Sequence, residues 1–285
     1  MNMQTLKMGK TNAQDSELGK KTDYYSTYNA DKLFPIPRNA KRVEIGINPD
    51  SPPFKGFDYW NHYEVSWLNE KGKPIVAIAD IVYDCNTPNI IESKSMKLYF
   101  NSLNNTRFKT VDEVEAIVKK DLQQRIEGEV FVNITPLDKF KENKGFHELT
   151  GVCLDNLDVS CSDYTTKSSL LTTEKEMIDE TLYSHLLKSN CLVTNQPDWG
   201  TVEIHYQGQK INHENLLKYI VSYRNHNEFH EQCIERIFVD IMEHCKPTKL
   251  TVYGRYTRRG GLDINPYRST EQADFKGKNN RLLRQ

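Results

Sequence analysis

Apolar and polar positions alternate along Tyr63-Glu-Val-Ser-Trp-Leu68, and a polar, glycine-bearing stretch at 69–74 separates this run from a β-rich one, Ile75 to Tyr83. Two such runs around a turn predict a β-hairpin. The period then lengthens. Val111, Val114, Ile117, Val118 and Leu122 recur at intervals of 3, 3, 1 and 4, which gathers them on one helical face. Helices are therefore expected over 95–103 and 111–122, followed by a strand over 129–137 in which Val130, Val132 and Ile134 alternate.

The same order returns in the second half. Thr201 to Tyr206 alternates as a strand, 207–210 turns, 215–223 and 226–244 read as helices, and 249–256 as a strand. At an offset of 121, Lys97, Asn104 and Phe108 meet Lys218, Asn225 and Phe229, a faint identity that the shared element order reinforces. An internal duplication follows. The expected organisation is an extended, proline-bearing arm over 1–50, a first module over 51–140, a Ser/Thr/Asp-rich connection over 141–180, a second module over 181–265 and a tail over 266–285.

Composition narrows the classes. Of 285 residues, 38 are Lys or Arg and 39 Asp or Glu, a net charge of −1 that excludes a general nucleic-acid coat. The longest apolar run, Ile75 to Val82, is far shorter than the roughly 20 residues of a membrane helix. The start of the chain has no basic region followed by an apolar one, so no secretory signal is read and a cytoplasmic location is expected. Six cysteines (Cys85, Cys153, Cys161, Cys191, Cys233, Cys245) without any C-x-x-C pair read as free thiols.

Four segments carry candidate chemistry. Cys191 sits among Ser, Asn and Thr, with Lys188 before it and Asp198 in a Pro-Asp-Trp-Gly stretch after it. A nucleophilic thiol with a carboxyl proton shuttle is one reading, and a free cysteine followed by an Asx turn is the plainer one. His226 and His230 are four apart at a helix start, which is metal-ligand spacing, yet Asn227 replaces the glutamate of a zincin motif. On that helix Phe229, Cys233, Ile234, Ile237, Phe238 and Ile241 share an arc that includes His230, with Glu231 just past its edge. Glu92-Ser-Lys-Ser95 suits either a helix cap or an anion. Arg255-Tyr-Thr-Arg-Arg-Gly-Gly261 suits phosphate clamping or a solvated basic turn. Neither a Rossmann nor a P-loop fingerprint is present.

Taken together, Glu92-Ser-Lys-Ser-Met-Lys-Leu-Tyr99, Ser189-Asn-Cys-Leu-Val-Thr-Asn-Gln-Pro-Asp-Trp-Gly200, His226-Asn-Glu-Phe-His-Glu231 and Tyr256-Thr-Arg-Arg-Gly-Gly-Leu-Asp-Ile-Asn-Pro266 resemble the signature, catalytic, substrate-reading and closing segments of one family. It is the 7-cyano-7-deazaguanine reductases, NADPH-dependent nitrile reductases of queuosine biosynthesis, in their long two-module form. The resemblance runs from about residue 18 to the C-terminus. It implies an α+β protein of two tandem tunnelling-fold modules, each an antiparallel sheet with two helices on one side, associated as a homodimer.

It also implies roles. Cys191 would add to the nitrile as a thioimide while Asp198 moves the proton, with two NADPH used per nitrile. Ile91, Glu92, Ser93, His230 and Glu231 would hold the nucleobase. Ser93, Lys94, Arg259 and Gly260 would hold NADPH. No metal is implied, and no direct contact with nucleic acid or membrane. The competing expectation is a zinc-dependent cyclohydrolase-like enzyme on the same fold, which requires Cys191, His226 or His230 and a third ligand to converge.

Overall fold

The computed structural model describes residues 27–140 and 145–285, so the first 26 residues of the expected arm lie outside the described residues. The described part of the arm is not wholly extended. It holds strand β1 (Pro35–Pro37) and a short helix α1 (Asn39–Glu44).

The first module follows with β2 (Lys55–Leu68), β3 (Pro74–Asp84), β4 (Asn89–Ile91), α2 (Ser93–Leu103), α3 (Val111–Ile126) and β5 (Val130–Pro136). The β2–β3 turn forms because Asn69 accepts from the amides of Lys71 and Lys73 at 3.0 Å each, as Asn side chains do in turns. Glu92 caps α2, and Thr110 caps α3 by accepting from the Glu113 amide. The second module comprises β6 (Val152–Cys153), β7 (Thr173–Asn190), β8 (Pro197–Ile211), α4 (His213–Val221), α5 (His230–Cys245), β9 (Lys249–Tyr256) and β10 (Leu262–Ser269). This is the α+β, two-module architecture that the sequence leads one to expect.

Two expected boundaries move. Strand β7 starts at Thr173, inside the stretch assigned to the connection, because it pairs with the whole length of β8 from Thr173↔Ile211 to Asn190↔Pro197. Strand β10 runs through the expected start of the tail at 266, since it pairs with β9 on one edge and, from Leu262↔His62 to Ser269↔Lys55, with β2 on the other. Eight strands thereby make one sheet in the order β5-β3-β2-β10-β9-β8-β7-β6, antiparallel but for β6 with β7, while β1 pairs separately with β4. At the seam a Cβ on Gly56 would lie 1.9 Å from the Tyr267 carbonyl oxygen, so only glycine permits this approach.

All four long helices pack on one face. Val114, Val118, Leu122 and Ile126 of α3 join Met96, Tyr99 and Phe100 of α2 against β2, β3 and β5. Leu216, Leu217 and Ile220 of α4 join Ile234, Ile237, Phe238 and Ile241 of α5 against β7, β8 and β9. The opposite face is covered near the seam by the C-terminal segment, whose Phe275 packs with Phe57, Tyr59 and Tyr267. Among the described residues, no helix is long and apolar enough to cross a membrane, and all six cysteines are free.

Candidate active site

Cys191 and Asp198 are brought together by strand register. Ser189 of β7 pairs with Asp198 of β8, and Asn190 with Pro197. The ladder continues one step further, where the Cys191 amide donates to the Gln196 carbonyl at 2.8 Å. Residues two apart on a strand face the same side, so Cys191 shares the face of Ser189 and of its partner Asp198. The Pro-Asp-Trp-Gly stretch is thus the start of a strand; the turn is 191–196 instead. Cys191 is 6% exposed, and its neighbours in a narrow slot are Ile90, Ile91, Ser93, Asp198, Glu228, Phe229, His230, Glu231, Arg259 and Ile264. Lys188 is engaged elsewhere, donating to Asn190 Oδ1 at 2.6 Å and to the Arg224 carbonyl at 2.5 Å.

Helix α5 begins at His230, four residues later than the periodicity suggests, so His226 and His230 do not share a helix face. His226 Nε2 meets Glu228 Oε2 at 2.8 Å, and Arg236 grips the same carboxylate at 2.9 and 3.0 Å. His230 packs against the Tyr256 ring, centroids 4.0 Å apart, and its Nε2 lies 3.6 Å from Asp198 Oδ1. Glu231 is 2% exposed, well inside the core side of the arc instead of beyond its edge. Its Oε1 is buried and has no hydrogen-bond partner among the described residues. Burial and the nearby Asp58 carboxylate push its carboxyl up to about 7. A buried carboxylate oxygen without a partner is an acceptor open to an N–H donor.

The third wall is the start of α2. The Glu92 carboxylate accepts from the amides of Lys94 and Ser95 at 2.8 Å each, so its side chain is the helix cap and is not among the slot's walls. Burial raises its carboxyl. Ile91 and Ser93 on either side do line the slot. The slot opens into a cleft of about 320 Å³ walled by Ser93, Lys94, Lys97, Thr194, Gln196, His230, Thr257, Arg259, Gly260, Leu262, Asp263 and Ile264. That volume lies in the range of small-molecule sites.

Of the three arginines at 255–259, only Arg259 reaches the site, where its guanidinium lies 3.1 Å from Asp198 Oδ1. Arg255 is buried against Asn265, the Asn280 carbonyl and Gln285, and Arg258 covers the Tyr63 ring. Lys97 was missed in the sequence, although its signal was there: three residues after Lys94 and four after Ser93, it occupies the same face of α2. Gly260 has φ +63, and a Cβ there would sit 2.2 Å from Lys97 Nζ. The glycine lets the β9–β10 turn close onto α2, and the three cations Lys94, Lys97 and Arg259 suit a phosphate-bearing dinucleotide.

The zinc arrangement is not assembled. Among the described residues, the groups of three side chains that could hold a metal are Cys153, Asp155 and His185, and His226, Glu228 and Cys233. Neither contains Cys191 or His230.

A buried thiol and carboxyl facing an unsatisfied glutamate, beside a cationic cleft where two modules meet, define an enzyme site. Residues 24–134 match the sequence family described as "Nitrile reductase, 7-cyano-7-deazaguanine-reductase N-term", and residues 197–274 match "QueF-like protein". A protein of Legionella pneumophila (strain Lens), named NADPH-dependent 7-cyano-7-deazaguanine reductase, is 61% identical over 273 residues, covering 96% of each chain. One of the same name from Coxiella burnetii (strain CbuK_Q154) is 52% identical over 273 residues, covering 95% of this chain and 97% of its own. The chain belongs to the 7-cyano-7-deazaguanine reductase family. A solved structure of an archaeosine synthase is a remote likeness, with TM-score 0.30, 14% identity and coverage of 35% of this chain and 99% of its own; the membership rests on the full-length relatives.

Proposed function

We propose that this chain reduces the nitrile of 7-cyano-7-deazaguanine to the aminomethyl group with NADPH, in queuosine biosynthesis, through covalent addition to Cys191. The observation that supports this reading best is the slot in which Cys191, Asp198, His230 and Glu231 converge, opening directly onto the cationic cleft.

A nitrile carbon is an electrophile that a thiolate attacks. Asp198 takes the proton from the Cys191 thiol and delivers it to the nitrile nitrogen, so the S–C bond forms as one C≡N π bond becomes N–H and the product is a neutral thioimide. NADPH, when bound, supplies hydride, one equivalent to the thioimide carbon and a second to the imine freed when the Cys191 thiolate departs. With two protons, the balance is one nitrile and two NADPH to one primary amine and two NADP⁺. His230, between slot and cleft, orients Asp198. Glu231 accepts from the N–H groups of the guanine-like edge, a charge-assisted pairing that rejects rings lacking those donors. Lys94, Lys97 and Arg259, with Ser93 and the Gly260 turn, hold the phosphates. Burial of the slot protects the imine from water.

This reading includes the homodimer and the free nucleobase as substrate instead of tRNA, both of which the resemblance implies, together with a cytoplasmic location. The test is NADPH absorbance after mixing with 7-cyano-7-deazaguanine. The expected result is two NADPH consumed per nitrile by the native chain and none by Cys191→Ala. No consumption by the native chain, with the base shown to bind, would sink the reading.

A further inference from the structure

The six-residue loop that carries the thiol is held by one side chain from outside it. Just before α5 the chain runs parallel to the end of β7, with Asn227 bridged to Asn190. The Asn190 amide donates to the His226 carbonyl at 2.8 Å, and the Glu228 amide donates to the Asn190 carbonyl at 3.1 Å. This pairing fixes the residue immediately before Cys191.

Asn227 then adds its side chain. Its Nδ2 donates to Asn195 Oδ1 and, at 3.5 Å, to the carbonyl of Cys191, while its Oδ1 accepts from Asn190 Nδ2 at 3.2 Å. Asn195 has φ 57, the left-handed conformation that Asn tolerates, and its amide donates to the same Cys191 carbonyl at 3.1 Å. One amide group therefore reaches the residue before the thiol, the residue that bears it and the one that reverses the loop.

The strut itself is anchored. Glu228, next to Asn227, is buried and gripped by Arg236 and His226. Burial raises its carboxyl, but His226 and Arg236 hold it below its ordinary value overall. An irregular loop otherwise spreads over many conformers, and a nucleophile displaced by an ångström loses much of its rate.

We propose that Asn227 is a positioning residue for Cys191, holding the 191–196 loop so that the thiol faces Asp198 and Glu231 across the slot. The inference rests on the reading of Cys191 as the nucleophile.

The experiment measures thioimide formation with 7-cyano-7-deazaguanine in the absence of NADPH, by intact-protein mass, for the native chain, Asn227→Ala and Asn227→Asp. Amide exchange of the 191–196 segment is followed in parallel. Asn227→Ala is expected to slow adduct formation at saturating nitrile about tenfold to a hundredfold, with half-saturation changed by less than about threefold. The melting temperature stays close to native, and the 191–196 amides exchange faster. Asn227→Asp keeps the acceptor for Asn190 but loses the donor to Asn195 and Cys191, so it follows Asn227→Ala. Native adduct rates in Asn227→Ala, or a rate loss matched by a general loss of stability with no selective change in loop exchange, would overturn the proposal. Failure of the native chain to form any adduct would instead remove the covalent reading on which it rests.

Discussion

Glu231 and Glu235 lie one turn apart on α5 and are both buried, but their surroundings are opposite. Glu235 accepts from Arg42 at 2.7 and 3.0 Å and from Arg268 at 2.9 and 3.1 Å. Burial alone would raise its carboxyl, yet Arg268 and Arg42 hold it below the ordinary value. Glu231 has no ion-pair partner among the described residues and stands near 7. The fold neutralises one carboxylate and leaves the next without an ion-pair partner among the described residues, where the proposed function places the nucleobase.

A pH dependence follows for the nucleobase. Only ionised Glu231 accepts two N–H bonds, so affinity for 7-cyano-7-deazaguanine rises with pH through about 7 and then levels off. Calorimetric titration of Cys191→Ala, which binds without reacting, reads this directly. Glu231→Gln flattens the profile, with the loss of affinity largest above pH 7 and shrinking as the native carboxyl protonates.

The same carboxyl affects stability with a defined sign. Its folded value is raised from the ordinary 4.5 to about 7, so its contribution is fully present below 4.5 and is lost as the pH rises through 7. Glu231→Gln therefore gains stability on the native chain between acid and mildly alkaline pH, by on the order of 3 kcal/mol. Denaturant midpoints at the two pH values measure it; an unchanged difference would show that Glu231 ionises freely in the folded chain.

Asp198→Asn keeps the shape of the shuttle and removes its basicity. Adduct formation at Cys191 should slow by about 10²–10⁴-fold while base binding persists. Rapid-quench mass measurement separates the two.

Gly260→Ala probes the cleft. The new methyl would force Lys97 away and must adopt φ +63, where alanine is strained by roughly 1 kcal/mol. The KM for NADPH should rise several-fold, with adduct formation in its absence unchanged. A KM equal to that of the native chain would remove this turn from the cofactor's path.

Arg42→Met leaves Glu235 with fewer counter-charges in a buried place, a change that typically costs about 3–5 kcal/mol. Chemical denaturation is the check, and Arg42→Met combined with Glu235→Gln should recover much of the loss.

The parts of the fold read directly from the sequence were those in which one face is buried and the other wet. In α3 the interval pattern marks Val114, Val118 and Leu122, each fully buried. Strand β7 was hidden because its first half, Thr173 to Glu180, is exposed or half-buried on both faces and shows no alternation. Strand β10 was hidden for the opposite reason. All eight of its residues are buried, Asp263, Asn265 and Arg268 are satisfied by buried partners, and Pro266 argues against a central strand. At the site, Cys191 and Asp198 were recognisable as a pair through their motif, but the hairpin register that joins them depends on β7. Glu231 lay at the edge of the apolar arc, and periodicity has no means of placing a charged residue inside. The segment at 92–95 was legible as a helix cap, but the capping group is the Glu92 carboxylate, a longer side chain than those that usually take this place.

The seam between β2 and β10 also governs how the molecule is made. Lys55 pairs with Ser269 and His62 with Leu262, contacts that join residues about two hundred positions apart. A ribosome-bound chain can form the β2–β3–α2–α3–β5 half early, but the edge of β2 stays unpaired until nearly all of the polypeptide has emerged. Ile264, Arg259 and Gly260 reach the first module only then. The pocket therefore closes late in synthesis, so a chain cut before β10 presents an open, aggregation-prone strand edge and an incomplete pocket.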